Sequence, residues 1–450
     1  MPFATLESLR HEMVRQGVVR LLFKVLSTND NSKQQVYLGG GYDSLKMIPG
    51  GELHAEPGFS LKHGASPRQI IKSALDFWWL NEEGAPVKAP HAQLILYPQY
   101  PEVRMSGFLK GCAASPGLLM SSRTAGRILF LGITESGRIF GWLEDAGSVI
   151  AIEAMQWTEI GEAKRLSPVF VEIPLQPGSP SSRDILCQKL LEVCQSGWIA
   201  SFRLGAHGEY IPYSAINGAG YTLEGMFGIT PNGIPLPDFL DWELKACTTS
   251  RWPRLNESAR ITLMTPEPMA GLYANDLGMF RERYAVSKSQ DIVYFTGTRR
   301  AGQHRKNDRL FLEVRGIAGG KIVDPAGAGI FLIDEQNGEI AAGWTATGLL
   351  EHWKHKHGHT AYVPCDKKNE NGKNFYRYSH VVRLGEGADF SLILQAIASG
   401  NIYHDPGVKF TRRPNGTWET HRRNQFRTTA GKIGALYQQC EDVDLLAAIR

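Results

Sequence analysis

Residues 220–245 read GYTLEGMFGITPNGIPLPDFLDWELK, and near their end Asp238 is followed by Glu243-Leu244-Lys245. PDF and WELK read as two short strands, with Asp238 closing the first and Glu243 and Lys245 on the second. Side chains alternate faces along a strand, so Glu243 and Lys245 project together while Leu244 turns to the core. Asp238 and Glu243 could then share a hard divalent cation, since Mg²⁺ prefers carboxylate and water oxygens. Lys245 would stand beside the attacking water, where a cation orients it or stabilises charge developing on a phosphate. That is the equipment of a metal-dependent phosphodiesterase. Asp, Glu and Lys also decorate exposed strands as a solvated face, and the spacing alone does not separate the two readings.

Outward from this stretch, 450 residues suffice for two or three domains, each with its own core. Hydrophobic residues at 42% and charged residues at 21% describe an ordinary soluble globular protein. No apolar run approaches the roughly 18 residues that suggest a membrane span, and MPFATLESLRHEM lacks a signal-peptide pattern. The six cysteines are scattered without a C-x-x-C pair. A reduced, cytoplasmic protein is the expectation. Cys247 lies close to the acids, with no base nearby to activate it. Net charge is +4, but residues 351–427 hold 13 Lys/Arg against 7 Asp/Glu, or +6, which leaves −2 for the remainder. A local basic field of this kind fits a polyanionic partner.

In chain order, residues 5–18 read as an amphipathic helix and LLFKVL as a strand. Residues 67–79 (PRQIIKSALDFWW) read as a helix, followed by strands at 92–98, 126–133 and 138–144. The proline- and serine-rich stretch 166–182 is the best linker, dividing an N-terminal domain (1–165) from a C-terminal one (183–450). A helix capped by Ser181 or Ser182 opens the second domain, TLEGMFG forms a short helix carrying Glu224, and four further strands precede residue 336. The fold class expected is mixed α/β.

The block GWIASFRL…NGAGYTLEGMFGITPNGIPLPDFLDWELK resembles the MvaI/BcnI family of restriction endonucleases, within the PD-(D/E)XK nuclease superfamily. The glycine-rich turn, the T-L-E helix, the P-N-G turn, the P-D-F and W-E-L-K strands and the later ITLMTPEP carry the likeness. It covers roughly residues 183–450 and implies a restriction-endonuclease-like α/β/α domain. By that resemblance Asp238 and Glu243 match the metal-binding acids and Lys245 the catalytic lysine. Glu224 matches an additional acid that holds water or a second cation; its alternative is to cap its own helix. The family implies Mg²⁺ as cofactor and double-stranded DNA as partner. It also implies a monomer that nicks the two strands of a short CC-S-GG or CC-W-GG type site, leaving a 5′-phosphate and a 3′-hydroxyl. Rival expectations are a repair or mobile-element nuclease that reads mismatched or modified DNA, and a catalytically inactive DNA-binding protein.

Sequence readout belongs elsewhere, because metal and lysine see only phosphate whereas base edges specify. Family members read bases from C-terminal loops, which here are GNIYHDPGVKFTRR and ETHRRNQFR. Asp405, Lys409, His421 and Arg427 are the candidates, although the family tends to have an arginine where DPGVK supplies Lys409. HWKHKHGH (352–359) is too tightly packed in histidine for a usual structural zinc site. It reads as a basic loop whose Lys354 and Lys356 bind DNA backbone. In the N-terminal domain, FKVLSTNDNSKQQVYL and AQLILYPQYPEVRMSGFLKG resemble the two DNA-embracing arms of an EcoRII-type effector domain, a β-pseudobarrel. That likeness makes Asn29, Asn31, Lys33, Gln34 and Arg104 candidate DNA contacts, against a plain role as turn residues. It also implies that a second DNA site stimulates cleavage.

Overall fold

The computed structural model describes residues 3–28, 35–58, 68–98, 100–176, 180–231, 237–324, 327–354 and 358–447. The chain is mixed α/β and divides into two compact units, Met1–Ser179 and Pro180–Arg450.

In the first unit, Thr5 caps the helix Leu6–Arg15, whose Leu6, Leu9 and Met13 are buried. These side chains and Ile150, Ala151 and Ala154 of the helix Val149–Glu159 cover a seven-stranded sheet through Leu21, Phe23, Phe130 and Phe140. That sheet runs in the order 164–165, 171–173, 18–25, 128–134, 139–144, 77–80, 86–88. A five-stranded sheet runs 35–39, 102–106, 93–97, 68–74, 54–58, and no closed barrel forms among the described residues. Two expectations change here. Of the stretch read as a helix over 67–79, the described residues 68–79 form none: Arg68–Ala74 and Phe77–Leu80 are strands of different sheets. β-branched Ile70 and Ile71 with the aromatic run Phe77-Trp78-Trp79 favour extended backbone, and Trp79 Nε1 donates to the Phe108 carbonyl at 2.7 Å. The stretch read as linker also carries the strand Val171–Ile173, which pairs with Val18–Val25. Its buried Phe170, Val171 and Ile173 lie among proline and serine, whose turn signal masked them.

In the second unit, Ser181 and Asp184 form a reciprocal capping box at the start of the helix Ser182–Gln195. This helix and Gly218–Met226 pack Leu186, Leu190, Ala219 and Leu223 onto a sheet core of Trp242, Leu244, Ala361, Val363, Tyr376 and Leu384. Gly225 permits that approach, because a Cβ there would sit 2.5 Å from the Phe202 ring. At the centre lies the long strand His359–Glu370. Its first half pairs in parallel with Trp242–Thr248 and antiparallel with Val381–Ala388, and its second half pairs with Lys373–Tyr378. Tyr437–Asp444 closes the edge beyond Val381–Ala388. Smaller sheets follow, including Arg260–Met264 with Phe426–Thr429 and Tyr403–His404, and Ile292–Thr296 with Gly407–Arg412 and Trp418–His421.

Candidate active site

Asp238 is tied to the strand that follows it: the Leu244 N–H donates to Asp238 Oδ2 at 2.8 Å. Leu244 lies between Glu243 and Lys245, so the first acid is fixed to the backbone between the other two groups. The link depends on a tight reversal. Phe239 and Trp242 exchange both backbone hydrogen bonds, at 2.9 and 2.8 Å, while Leu240 takes a φ of 53°. A left-handed leucine costs roughly 1–2 kcal/mol. Asp238 therefore opens a turn and does not end a strand; among the described residues the PDF segment pairs through the Phe239–Trp242 bridge alone.

Glu243 and Lys245 project from one face, with Lys245 Nζ donating to Glu243 Oε1 at 3.2 Å. Glu243 is 6% exposed, and its Oε2 is buried without a hydrogen-bond partner. A buried carboxylate oxygen left unpaired is costly, and a small hard cation would relieve it. Two carboxylates suit an ion that keeps most of its ligands as water. Among the described residues no group of three or more His, Cys, Asp or Glu side chains could hold a metal.

The parallel partner strand aligns Thr360 with Glu243 and Tyr362 with Lys245. The Tyr362 and Tyr437 hydroxyls are 2.8 Å apart and buried, with the Tyr437 ring lying over Gly385, where a Cβ would meet it at 2.6 Å. Burial, aided by the charge of Glu243, pushes the Tyr437 hydroxyl up to about 12, so this floor beneath the acidic row is neutral. Asp241 pairs with His359 at 3.6 Å on the turn leading into the row. Neither Asp241 nor the tyrosine pair was picked out from sequence. The alternation of D-W-E-L-K gives Asp241 the same face as Glu243, whereas Tyr437 carries no local signal. Glu224 sits near the end of the helix Gly218–Met226, beside the buried Leu223 and close enough for its charge to help raise the Tyr378 hydroxyl, which burial raises most. Desolvation pushes the Cys247 thiol up, opposite to what a nucleophile needs.

The C-terminal candidates converge in pairs. Arg427 Nη1 donates to Asp405 Oδ2 at 2.8 Å, and the Thr298 hydroxyl donates to Asp405 Oδ1 at 3.0 Å. Lys409 and His421 are cross-strand neighbours, with Val408 and Phe410 buried on the other face. Thr298 was missed, because nothing in TGTRRAG marks it. In the first unit, Arg104 donates to Gln35 Oε1 at 3.2 Å, pairs with Glu102 and lies over the Tyr97 ring. Asn29, Asn31, Lys33, Gln34, Lys356 and the side chain of Lys354 lie outside the described residues.

Five chains of solved structures resemble this one, two of them as follows. One is a restriction endonuclease MvaI–cognate DNA substrate complex, at 20% identity over 59% of this chain and 99% of that one, with a TM-score of 0.44. The other is MvaI in the absence of DNA, at 15% identity over 60% and 100%, with a TM-score of 0.35. No curated protein matches. A sequence profile described as the MvaI/BcnI restriction endonuclease family matches residues 187–437. It leaves the first unit outside but takes in every second-unit residue placed above from Glu224 to Tyr437 and more than half of the chain, and the chain belongs to the MvaI/BcnI restriction endonuclease family.

Proposed function

We propose that this type II site-specific deoxyribonuclease cuts double-stranded DNA at a short pseudosymmetric CC-W-GG or CC-S-GG type site, with Mg²⁺ as its cation. The observation that carries this reading is the knot of Asp238, Leu244 N–H, Glu243 and Lys245, with Glu243 Oε2 left unpaired. Asp238 and Glu243 would hold the ion, which when bound supplies positive charge to the scissile phosphate and makes water a better nucleophile. Lys245, already directed by Glu243, stabilises the negative charge that grows on the phosphate oxygens. The Thr360–Tyr362–Tyr437 floor presents no competing charge. Glu224 holds water at the edge of the site.

Readout falls to the C-terminal cluster. Arg427 faces guanine O6 and N7, and Asp405 accepts from cytosine N4. Lys409 and His421 lie together on the neighbouring hairpin, and Lys354 and Lys356 bind phosphate. The enzyme works as a monomer that nicks the strands in turn. The first unit, through Arg104 and the segment holding Asn29, Asn31, Lys33 and Gln34, occupies a second copy of the site and stimulates cutting. Digesting a plasmid of known sequence with Mg²⁺ and mapping the ends tests the reading: a single short sequence at every cut supports it, and random ends overturn it. Purified Lys245→Ala protein should bind DNA without cutting, and retained cutting would remove the assignment of the acidic row. Equal rates on one-site and two-site plasmids would remove the role given to the first unit.

A further inference from the structure

The Asp405–Arg427 pair is monodentate, although carboxylate and guanidinium close readily into a two-bond fork. Only Asp405 Oδ2 meets Arg427, through Nη1, and Arg427 Nε is buried without a partner. Asp405 Oδ1 is taken by the Thr298 hydroxyl at 3.0 Å. Thr298 is brought there by its neighbour: Arg299 and His404 exchange backbone hydrogen bonds of 2.8 and 2.9 Å, which sets residue 298 beside residue 405. The loop is anchored further by the Arg299–Asp308 pair at 2.9 Å, with both side chains largely buried, and by Arg300, which donates to the Gly400 carbonyl and lies over the Tyr403 ring. On the other side, the Asp405 N–H donates to the Gln425 carbonyl at 2.8 Å. The carboxylate is thus fixed at both oxygens while its pair stays partly exposed, with the Asp405 and Arg427 side chains at 17% and 22%.

We infer that Thr298 is a positioning residue for base readout, holding Asp405 open so that the Asp405–Arg427 pair meets the two bases of one C·G pair instead of closing on itself. This rests on the readout proposed above. The terminal torsion of an aspartate is soft and roughly two-fold, so one contact to Arg427 does not fix it. Without the Thr298 bond, Asp405 rotates to chelate Arg427, and both oxygens and two guanidinium N–H groups turn inward. With the bond, a lone pair stays directed outward for cytosine N4, and Arg427 keeps N–H groups for guanine O6 and N7.

The test uses full-length protein, Ca²⁺ in place of Mg²⁺, and fluorescent duplexes carrying the mapped cleavage site or the same site with each C·G pair changed in turn to T·A. Thr298→Val, which keeps the shape and removes the hydroxyl, should cut discrimination at one base pair about tenfold, while Thr298→Ser restores it to within about twofold. Asp405→Asn should lose discrimination at that same pair. If Asp405→Asn loses it and Thr298→Val does not, or if Thr298→Val weakens all duplexes equally, the inference is overturned and the readout stands. If Asp405→Asn also leaves discrimination intact, the readout itself fails and the inference falls with it.

Discussion

Replacing Lys245 with methionine removes the cation that pairs with the almost wholly buried carboxylate of Glu243. At 3.2 Å and an effective dielectric of 20, the attraction between the two charges is about 5 kcal/mol. Part of it is offset already, since the Lys245 side chain retains 18% exposure and Glu243 8%. Breaking a fully buried pair costs about 3–5 kcal/mol, because the remaining charge is stranded. Scaled for that residual water, Lys245→Met should destabilise the second unit by about 2–3 kcal/mol, or lower its thermal transition by roughly 5–8 °C. The cause is specific, so its cure is too. Glu243→Gln added to Lys245→Met should recover most of the loss, since the amide needs no counter-charge, and neither protein should cut DNA. Differential scanning calorimetry of the metal-free chain gives both numbers. A Lys245→Met protein as stable as the parent, or a double variant no better than the single, would refute the reasoning.

Three other outcomes can be read by unfolding. Tyr437→Phe leaves the Tyr362 hydroxyl buried without its 2.8 Å partner and should cost about 1–3 kcal/mol in urea titration, while the double change to phenylalanine is closer to neutral. Gly385→Ala places a methyl 2.6 Å from the Tyr437 ring and should cost about 1–3 kcal/mol by overpacking, a loss that Tyr437→Ala in the same chain would reduce. His404 is held at about 3 by burial, with the Arg299 charge adding to the effect. Its unfolded value is near 6.5, so the unfolded chain binds more protons between the two and stability falls as pH drops through that window. From pH 7 to pH 5 the loss is about 2 kcal/mol, and His404→Gln should flatten that part of the stability–pH curve.

Elements with a local signal were legible in the sequence. The capped helix after Ser181, the T-L-E helix, the W-E-L-K strand and the strands at 128–134 and 139–144 rest on caps and apolar periodicity that a short window contains. The misreading at 67–79 arose where helical spacing and β-branched, aromatic composition compete, and tertiary pairing decided for strands. The strand at 171–173 was hidden by its proline and serine neighbours. In the site, Glu243 and Lys245 follow from alternation along one strand, but the turn that lets Asp238 reach Leu244 N–H depends on a positive φ at Leu240, a residue type that gives no warning of it. Thr298, Tyr437 and Gly385 join their partners across separations of 107, 75 and 52 residues, and no window of sequence joins them.

The pairing of Trp242–Thr248 with His359–Glu370 has a consequence in time. Glu243 and its aligned neighbour Thr360 are 117 positions apart, and at about 5–20 residues per second a ribosome needs roughly 6–23 s to bridge them. Until then the acids and the lysine are all synthesised, but the strand that bears them has no sheet to join. A chain halted between residues 246 and 358 carries every group of the acidic row without the strand that its own strand pairs with. The topology thus makes the acidic row early and its sheet late, because the strands 373–378, 381–388 and 437–444 follow later still.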